Sequence, residues 1–245
     1  MAGQRQVIVI PARFESSRLP GKPLVMILGK TLIQRVWERC VEAVGGDKVY
    51  VATDDRRIEE HCRSLGANVV MTPSTCLTGT DRLYQANLKL KADSVINVQG
   101  DEPLVSVEDI RAMADLHLSN TDVILNGMGP LAGEDEYFSS TVPKVVATPS
   151  GQLLYMSRGP IPANKKKTFA GGHKQICIYG FSAAHLSAFG ERSAKTPLEE
   201  IEDIEILRFL EMGYTVQMIQ LKSPAIAVDI PEDIPRVEAA LRKLT

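Results

Sequence analysis

A chain of 245 residues, 44% hydrophobic and 24% charged, has the size and balance of an ordinary globular protein with one substantial core. Its formal net charge of −2 gives no general attraction to nucleic acid or to an anionic membrane. No apolar run approaches the roughly 20 residues that span a bilayer, and the start of the chain has neither a long apolar region nor a small-residue cleavage site. We therefore expect a cytoplasmic protein with no nucleic-acid and no membrane partner.

Residues 7–10 read as a buried strand, and the loop after them is rich in Ser, Arg, Pro and Gly. Residues 31–44 place Leu32, Ile33, Val36, Cys40, Val41 and Val44 at spacings of three and four, which is an amphipathic helix. A strand at 48–52, a helix at 56–64, a strand at 68–71, a helix near 81–91 and a strand at 94–98 continue the alternation. Another helix begins near Ser106. Strands alternating with helices imply an α/β fold with a mostly parallel, doubly wound sheet. Further on, 144–148 and 153–155 read as short strands turned by Pro149, Ser150 and Gly151, and 176–181 as another strand. The stretch 159–174, with its lysine triplet, reads as a long polar loop. Residues 199–210 read as one helix with Ile201, Ile204, Leu207 and Leu210 on one face. The terminal helix carries Ile234, Val237, Leu241 and Leu244, with Pro231 near its start.

The scattered Cys40, Cys62, Cys76 and Cys177 form no CxxC pair and read as reduced thiols; His61, His117, His173 and His185 form no metal spacing and read as surface or loop residues. Gly29-Lys30-Thr31 has the ending of a P-loop, but the required first glycine falls on Leu24. The missing GxGxxG after the first strand likewise disfavours a dinucleotide-binding dehydrogenase.

Two loops carry chemistry. PARFESSRLPGKP (11–23) follows the first strand, so it lies at the carboxyl edge of the sheet, where open α/β folds bind ligands. Its cations Arg13, Arg18 and Lys22 suit a triphosphate, although a solvated basic loop has the same composition. NVQGDEP (97–103) brings Asp101 to the same edge. There it would serve as a Mg²⁺ ligand, since that ion needs only one or two carboxylates completed by water and phosphate oxygens, or as a turn or cap residue. Asp229 in VDIPED has the same two readings. Thr78 and Gly79 open a helix whose free N–H groups suit an anion or a base edge. Arg158 presents a guanidinium fork that fits a carboxylate or a structural ion pair.

At these residues the chain resembles the bacterial and plant CMP-Kdo synthetases, the 3-deoxy-manno-octulosonate cytidylyltransferases. PARFESSRLPGKPL, VATDD, TGTDR, NVQGDEP, YMSR, IYGF and VDIPED stand in that family's order. The resemblance implies a single nucleotidyltransferase domain over 1–245, with about 130–200 forming a smaller sugar-binding and dimerisation subdomain, and a homodimer. It also implies CTP and an acidic sugar as substrates and Mg²⁺ as cofactor. Carried over by position, Ala12, Arg13 and Lys22 bind CTP, the two cations on its phosphates, while Thr78 and Gly79 approach the nucleotide beside Gln99. Asp101 and Asp229 become the metal carboxylates. Arg158 meets the sugar carboxylate, with Gln175, Tyr179 and Glu205 in the sugar half.

The implied reaction is attack of the sugar's anomeric hydroxyl on the α-phosphorus of CTP, with Arg13, Lys22, Asp101 and Asp229 as its catalytic residues. The departures from the family pattern fall in the sugar half. Where many members read HLGIYGY this chain has Gln175 for the histidine and Cys177 for a glycine; EQLR becomes Glu205-Ile206-Leu207-Arg208, and Pro143 interrupts the entry to the strand at Lys144. Losing a polar partner of a sugar hydroxyl shifts selection by orders of magnitude. An amino-substituted octulosonate, a nonulosonate, or a sugar-nucleotide-binding module without turnover therefore stand as alternatives.

Overall fold

The computed structural model describes residues 4–16, 18–224 and 226–243. Strand β1 (Gln6–Ala12) is buried from Val7 onward, as a strand covered on both faces must be. The hairpin β2 (Met26–Ile27) and β3 (Lys30–Thr31) leads into α1 (Leu32–Val44), where the Thr31 hydroxyl accepts from Gln34 N. Then follow β4 (Val49–Thr53), α2 (Arg56–Ser64), β5 (Asn68–Met71), α3 (Gly79–Leu90), β6 (Ser94–Val98) and α4 (Val107–Ser119). The alternation expected over this half is observed, and Ser106 caps α4.

The second half comprises β7 (Ile124–Pro130), α5 (Glu134–Phe138), β8 (Lys144–Ala147), β9 (Leu153–Ser157) and β10 (His173–Ser182). After them come α6 (Ala183–Gly190), α7 (Pro197–Glu202), α8 (Ile206–Glu211), β11 (Val216–Gln220) and α9 (Asp233–Leu241). The main sheet runs β11-β7-β10-β6-β1-β4-β5. β1 pairs in parallel with β4 and β6, β4 with β5, and β7 with β11; β10 alone runs antiparallel, wedged between β6 and β7. β8 and β9 extend from the start of β10 as an antiparallel pair. The order reverses at β1, between β4 and β6, and this is the switch point where doubly wound sheets bind ligands.

Alternate side chains of the central strands feed two cores. Val7, Val9 and Val95 pack with Leu83, Ala86 and Phe209 on one face, and Ile8, Ile10 and Ile96 pack with Ile33, Val36, Ile58 and Ile110 on the other. A third, smaller cluster joins Ile27, Leu32, Leu104, Val228, Val237 and Leu241. Its members lie just beyond the site loops, so burying them, at roughly 1.5–3 kcal/mol per large side chain, pulls distant parts of the chain together.

Several expectations are corrected. The segment 199–210 is not one helix: α7 ends at Glu202, Asp203 adopts φ 50°, and α8 restarts at Ile206. The apolar spacing continues across this break, but the carbonyls of Glu202 and Asp203 are taken by the Arg158 guanidinium (Nε to Glu202 O 2.6 Å, Nη2 to Asp203 O 2.9 Å), which ends the helix. Ile201, expected on the buried face, is 78% exposed. His117 and His185 are not surface residues. His117 is fully buried with Nδ1 2.7 Å from the Ser94 hydroxyl, and His185 reciprocally caps α6 with Ser182. β10 extends well beyond 176–181 and takes up the end of the expected loop, while β7 and β11 have no counterpart in the expected elements. Leu244 lies outside the described residues.

Candidate active site

The loops that follow β1 and β6 meet at one cavity of about 660 Å³. Gly100 allows the meeting, because a Cβ there would stand 2.9 Å from the Pro11 carbonyl oxygen. Lys22 reaches across from the first loop. Its ammonium donates to Asp101 Oδ2 at 2.8 Å and to Asp229 Oδ1 at 3.3 Å, and Arg18 Nη2 adds a contact to Asp229 Oδ1 at 3.2 Å. Asp101 and Asp229 are brought together by the third core cluster, to which Leu104 and Val228 both belong, and by the Val228 N–H bonding Asp101 O at 2.9 Å. Burial opposes the charge on Lys22, yet the two carboxylates outweigh it and hold its pKa above the ordinary value.

Every residue assigned from the sequence lines this cavity: Ala12, Arg13, Lys22, Thr78, Gly79, Gln99, Asp101, Arg158, Gln175, Tyr179, Glu205 and Asp229. Their surroundings differ. Thr78 and Asp81 form a reciprocal capping box at the start of α3. The next N–H groups are not open to an anion, because the Glu205 carboxylate already accepts from Gly79 N at 3.0 Å and Thr80 N at 2.8 Å. Burial raises the Glu205 pKa against the pull of these same bonds. Arg158 is held by three carbonyls, those of Ser140, Glu202 and Asp203. Tyr179 is buried, which pushes its phenol well above the usual range, and its hydroxyl accepts from Gln175 Nε2 at 3.1 Å.

Some lining residues have no assignment from the sequence. Arg82 is 2% exposed and donates to Thr72 Oγ1 at 2.6 Å and Asp54 Oδ2 at 2.9 Å. Both partners of that ion pair stand inside quoted motifs, TGTDR and VATDD, which was the available signal. Glu102 is buried beside Asp101. Burial, and then Asp101, raise its pKa to about 7; Oε1 accepts from Cys177 N at 3.3 Å, and Oε2 has no partner among the described residues. The P-loop-like GKT is confirmed as a decoy: Gly29 turns the β2–β3 hairpin, Lys30 pairs with Glu38 at 2.6 Å, and Thr31 caps α1.

Two carboxylates in reach of one cation, at the carboxyl edge of a switch point, match the donor set of an ion that completes its shell with phosphate and water. The Lys22 ammonium stands between them as a cation already does. Among the described residues no group of three or more His, Cys, Asp or Glu is placed to hold a metal ion.

Residues 7–222 match the cytidylyltransferase family. The chain belongs to that family. Among curated relatives of this cytidylyltransferase family member, the 3-deoxy-manno-octulosonate cytidylyltransferase of Zea mays is 42% identical over 97% of this chain and 81% of its own length. That of Syntrophotalea carbinolica is also 42% identical, over 96% of this chain and 98% of its own. A solved CMP:2-keto-3-deoxy-manno-octonic acid synthetase in complex with CTP superposes with a TM-score of 0.90 at 32% identity, covering 99% of this chain and 100% of the other. No helix among the described residues is long and apolar enough to cross a membrane.

Proposed function

We propose that this cytidylyltransferase activates 3-deoxy-manno-octulosonate (Kdo) with CTP, releasing CMP-Kdo and pyrophosphate. The observation that carries the reading is the convergence of Asp101 and Asp229 on Lys22 within one cavity, in a chain so similar to enzymes of that name. In the proposed reaction the anomeric hydroxyl oxygen bonds to the α-phosphorus and the bond to the β-phosphate oxygen breaks. The electron pair leaves with pyrophosphate, and the hydroxyl proton goes to solvent. Arg13 and Lys22 neutralise the leaving group. Arg158, stiffened by its carbonyl partners, keeps the sugar carboxylate and hence the attacking oxygen in line.

Asp101 and Asp229 would hold Mg²⁺ once the phosphates offer Lys22 another partner; when bound, the ion supplies Lewis acidity at the phosphate oxygens. Thr78, Gly79, Ala12 and Gln99 belong to the nucleotide side of this reading, and Gln175, Tyr179 and Glu205 to the sugar side. A cytoplasmic homodimer is part of the proposal.

The test is pyrophosphate release with CTP and MgCl₂ against a panel of Kdo, an amino-substituted octulosonate and a nonulosonate. Turnover strongest with Kdo, and abolished by EDTA, is expected. Preference for another acid would replace the substrate, and full activity in EDTA would remove the metal.

A further inference from the structure

Where β10 crosses the cavity its pairing with β7 slips between Ile176 and Tyr179. The slip leaves the carbonyls of Ile176 and Ile178 facing Asn126 of β7, whose Nδ2 donates to both at 3.1 Å. Two acceptors admit only the amino side of a carboxamide, so Asn126 must turn its Oδ1 the other way. Oδ1 accepts from Gln175 Nε2 at 2.9 Å, and the second proton of that nitrogen goes to the Tyr179 hydroxyl at 3.1 Å. The orientation of the Gln175 amide is thus dictated by two main-chain carbonyls it does not touch. Among the described residues no donor meets Gln175 Oε1, yet this atom is not one of the fully buried orphans; it is reached from the cavity that Gln175 and Tyr179 line. Asn126 itself is 0% exposed and lies behind that wall.

We propose that Asn126 is a positioning residue for substrate selection: it locks the Gln175 amide so that the cavity meets a hydrogen-bond acceptor, and the sugar must offer a hydroxyl donor there. This rests on the reading that the Gln175 wall faces the acidic sugar. A flipped Gln175 would set its oxygen against Asn126 Oδ1, two acceptors face to face in a dry site, so the lock has one stable setting.

The test compares Asn126→Ala, Gln175→Met and the double variant by steady-state kinetics, with the KM for the sugar and for CTP measured separately. The expected result is a roughly tenfold rise in the sugar KM for Gln175→Met, the size of one neutral hydrogen bond, and a severalfold rise for Asn126→Ala. The double variant should be no worse than Gln175→Met, with the KM for CTP unmoved throughout. If Gln175→Met raises the sugar KM but folded Asn126→Ala does not, the lock is overturned and the site reading stands. If Gln175→Met leaves the sugar KM unchanged, the reading of that wall falls and the lock with it. Should Asn126→Ala fail to fold, deoxyfluoro analogues of the sugar, one hydroxyl replaced at a time, decide the question. One analogue should show the tenfold rise with the unaltered enzyme and no added rise with Gln175→Met; equal KM values for every analogue would overturn the proposal.

Discussion

The edge made by the ends of β1 and β6 and the wall made by β10, α7 and α8 handle their polar groups in opposite ways. Along the edge, Lys22, Arg18, Asp101 and Asp229 bond one another through side chains that keep between 19% and 55% of their exposure. Along the wall, Arg158, Glu205, Gln175 and Tyr179 are tied to main-chain groups or buried partners. Side-chain ion pairs in partial contact with water exchange partners at little cost, whereas groups desolvated among fixed dipoles do not. A polyanion can therefore be received by rearrangement at the edge, while the wall presents a fixed shape.

The wall is the place to expect the largest loss of stability. Arg208 is fully buried, with both oxygens of the equally buried Glu199 at 2.6 and 2.7 Å, Asp81 at 3.0 Å and the Phe189 ring 3.6 Å from the guanidinium carbon. Arg208→Ala strands those carboxylates and should cost about 3–5 kcal/mol in urea unfolding; a loss below about 1 kcal/mol would mean the wall is not rigid through this pair. At the edge the loss should be catalytic instead. Asp101→Asn is expected to lower kcat roughly 10²–10³-fold with little change in the unfolding midpoint, and unimpaired turnover would end the assignment of that carboxylate.

A pH series sharpens the contrast by about 1.4 kcal/mol per pH unit per group at most. His117, whose pKa burial lowers to about 4, binds its proton more readily unfolded, so its contribution to stability is complete above about 6.5 and is lost as pH falls toward 4. Glu102, raised to about 7, has the opposite sign: it holds a proton in the folded state and its contribution is lost as pH rises from about 4.5 to 7. The two oppose each other over most of this range. Glu102→Gln should therefore unmask a decline in stability as pH drops from 6.5 to 4, measured by denaturant midpoints; a flat profile would exclude the histidine as its source. The smallest effect is expected for Lys30→Ala. It removes an exposed pair with Glu38, costing about 0.5 kcal/mol or less, and leaves CTP turnover intact, where a true P-loop lysine would abolish it.

The same contrast explains what could be read from the sequence. The edge is written in unbroken strings, because each loop follows its own strand, and Lys22 and Asp101 are found by looking just past a buried run. Their meeting with Asp229 needed the family resemblance, since the apolar staple of Leu104 and Val228 leaves no periodic trace. The wall is assembled from single residues far apart. Ile201 and Ile204 keep a helical spacing straight through the break at Asp203, because the agent of the break, Arg158, comes from the distant loop that follows β9. Asn126 sits in a glycine-rich run, Ile-Leu-Asn-Gly-Met-Gly, that reads poorly as a strand. His117 is misjudged because an imidazole that bonds one serine in an apolar core looks like any other histidine in one-letter code.

Lys22 between its two aspartates has a further consequence. With the ammonium as counter-ion, the two acids are held near one another without bare repulsion between them. In the proposed reaction a nucleotide arriving with a divalent ion would offer partners of matching sign to both, phosphate to Lys22 and the ion to Asp101 and Asp229. On that reading neither ligand would find a vacant berth without the other, so the charges of the pocket would favour their arrival together.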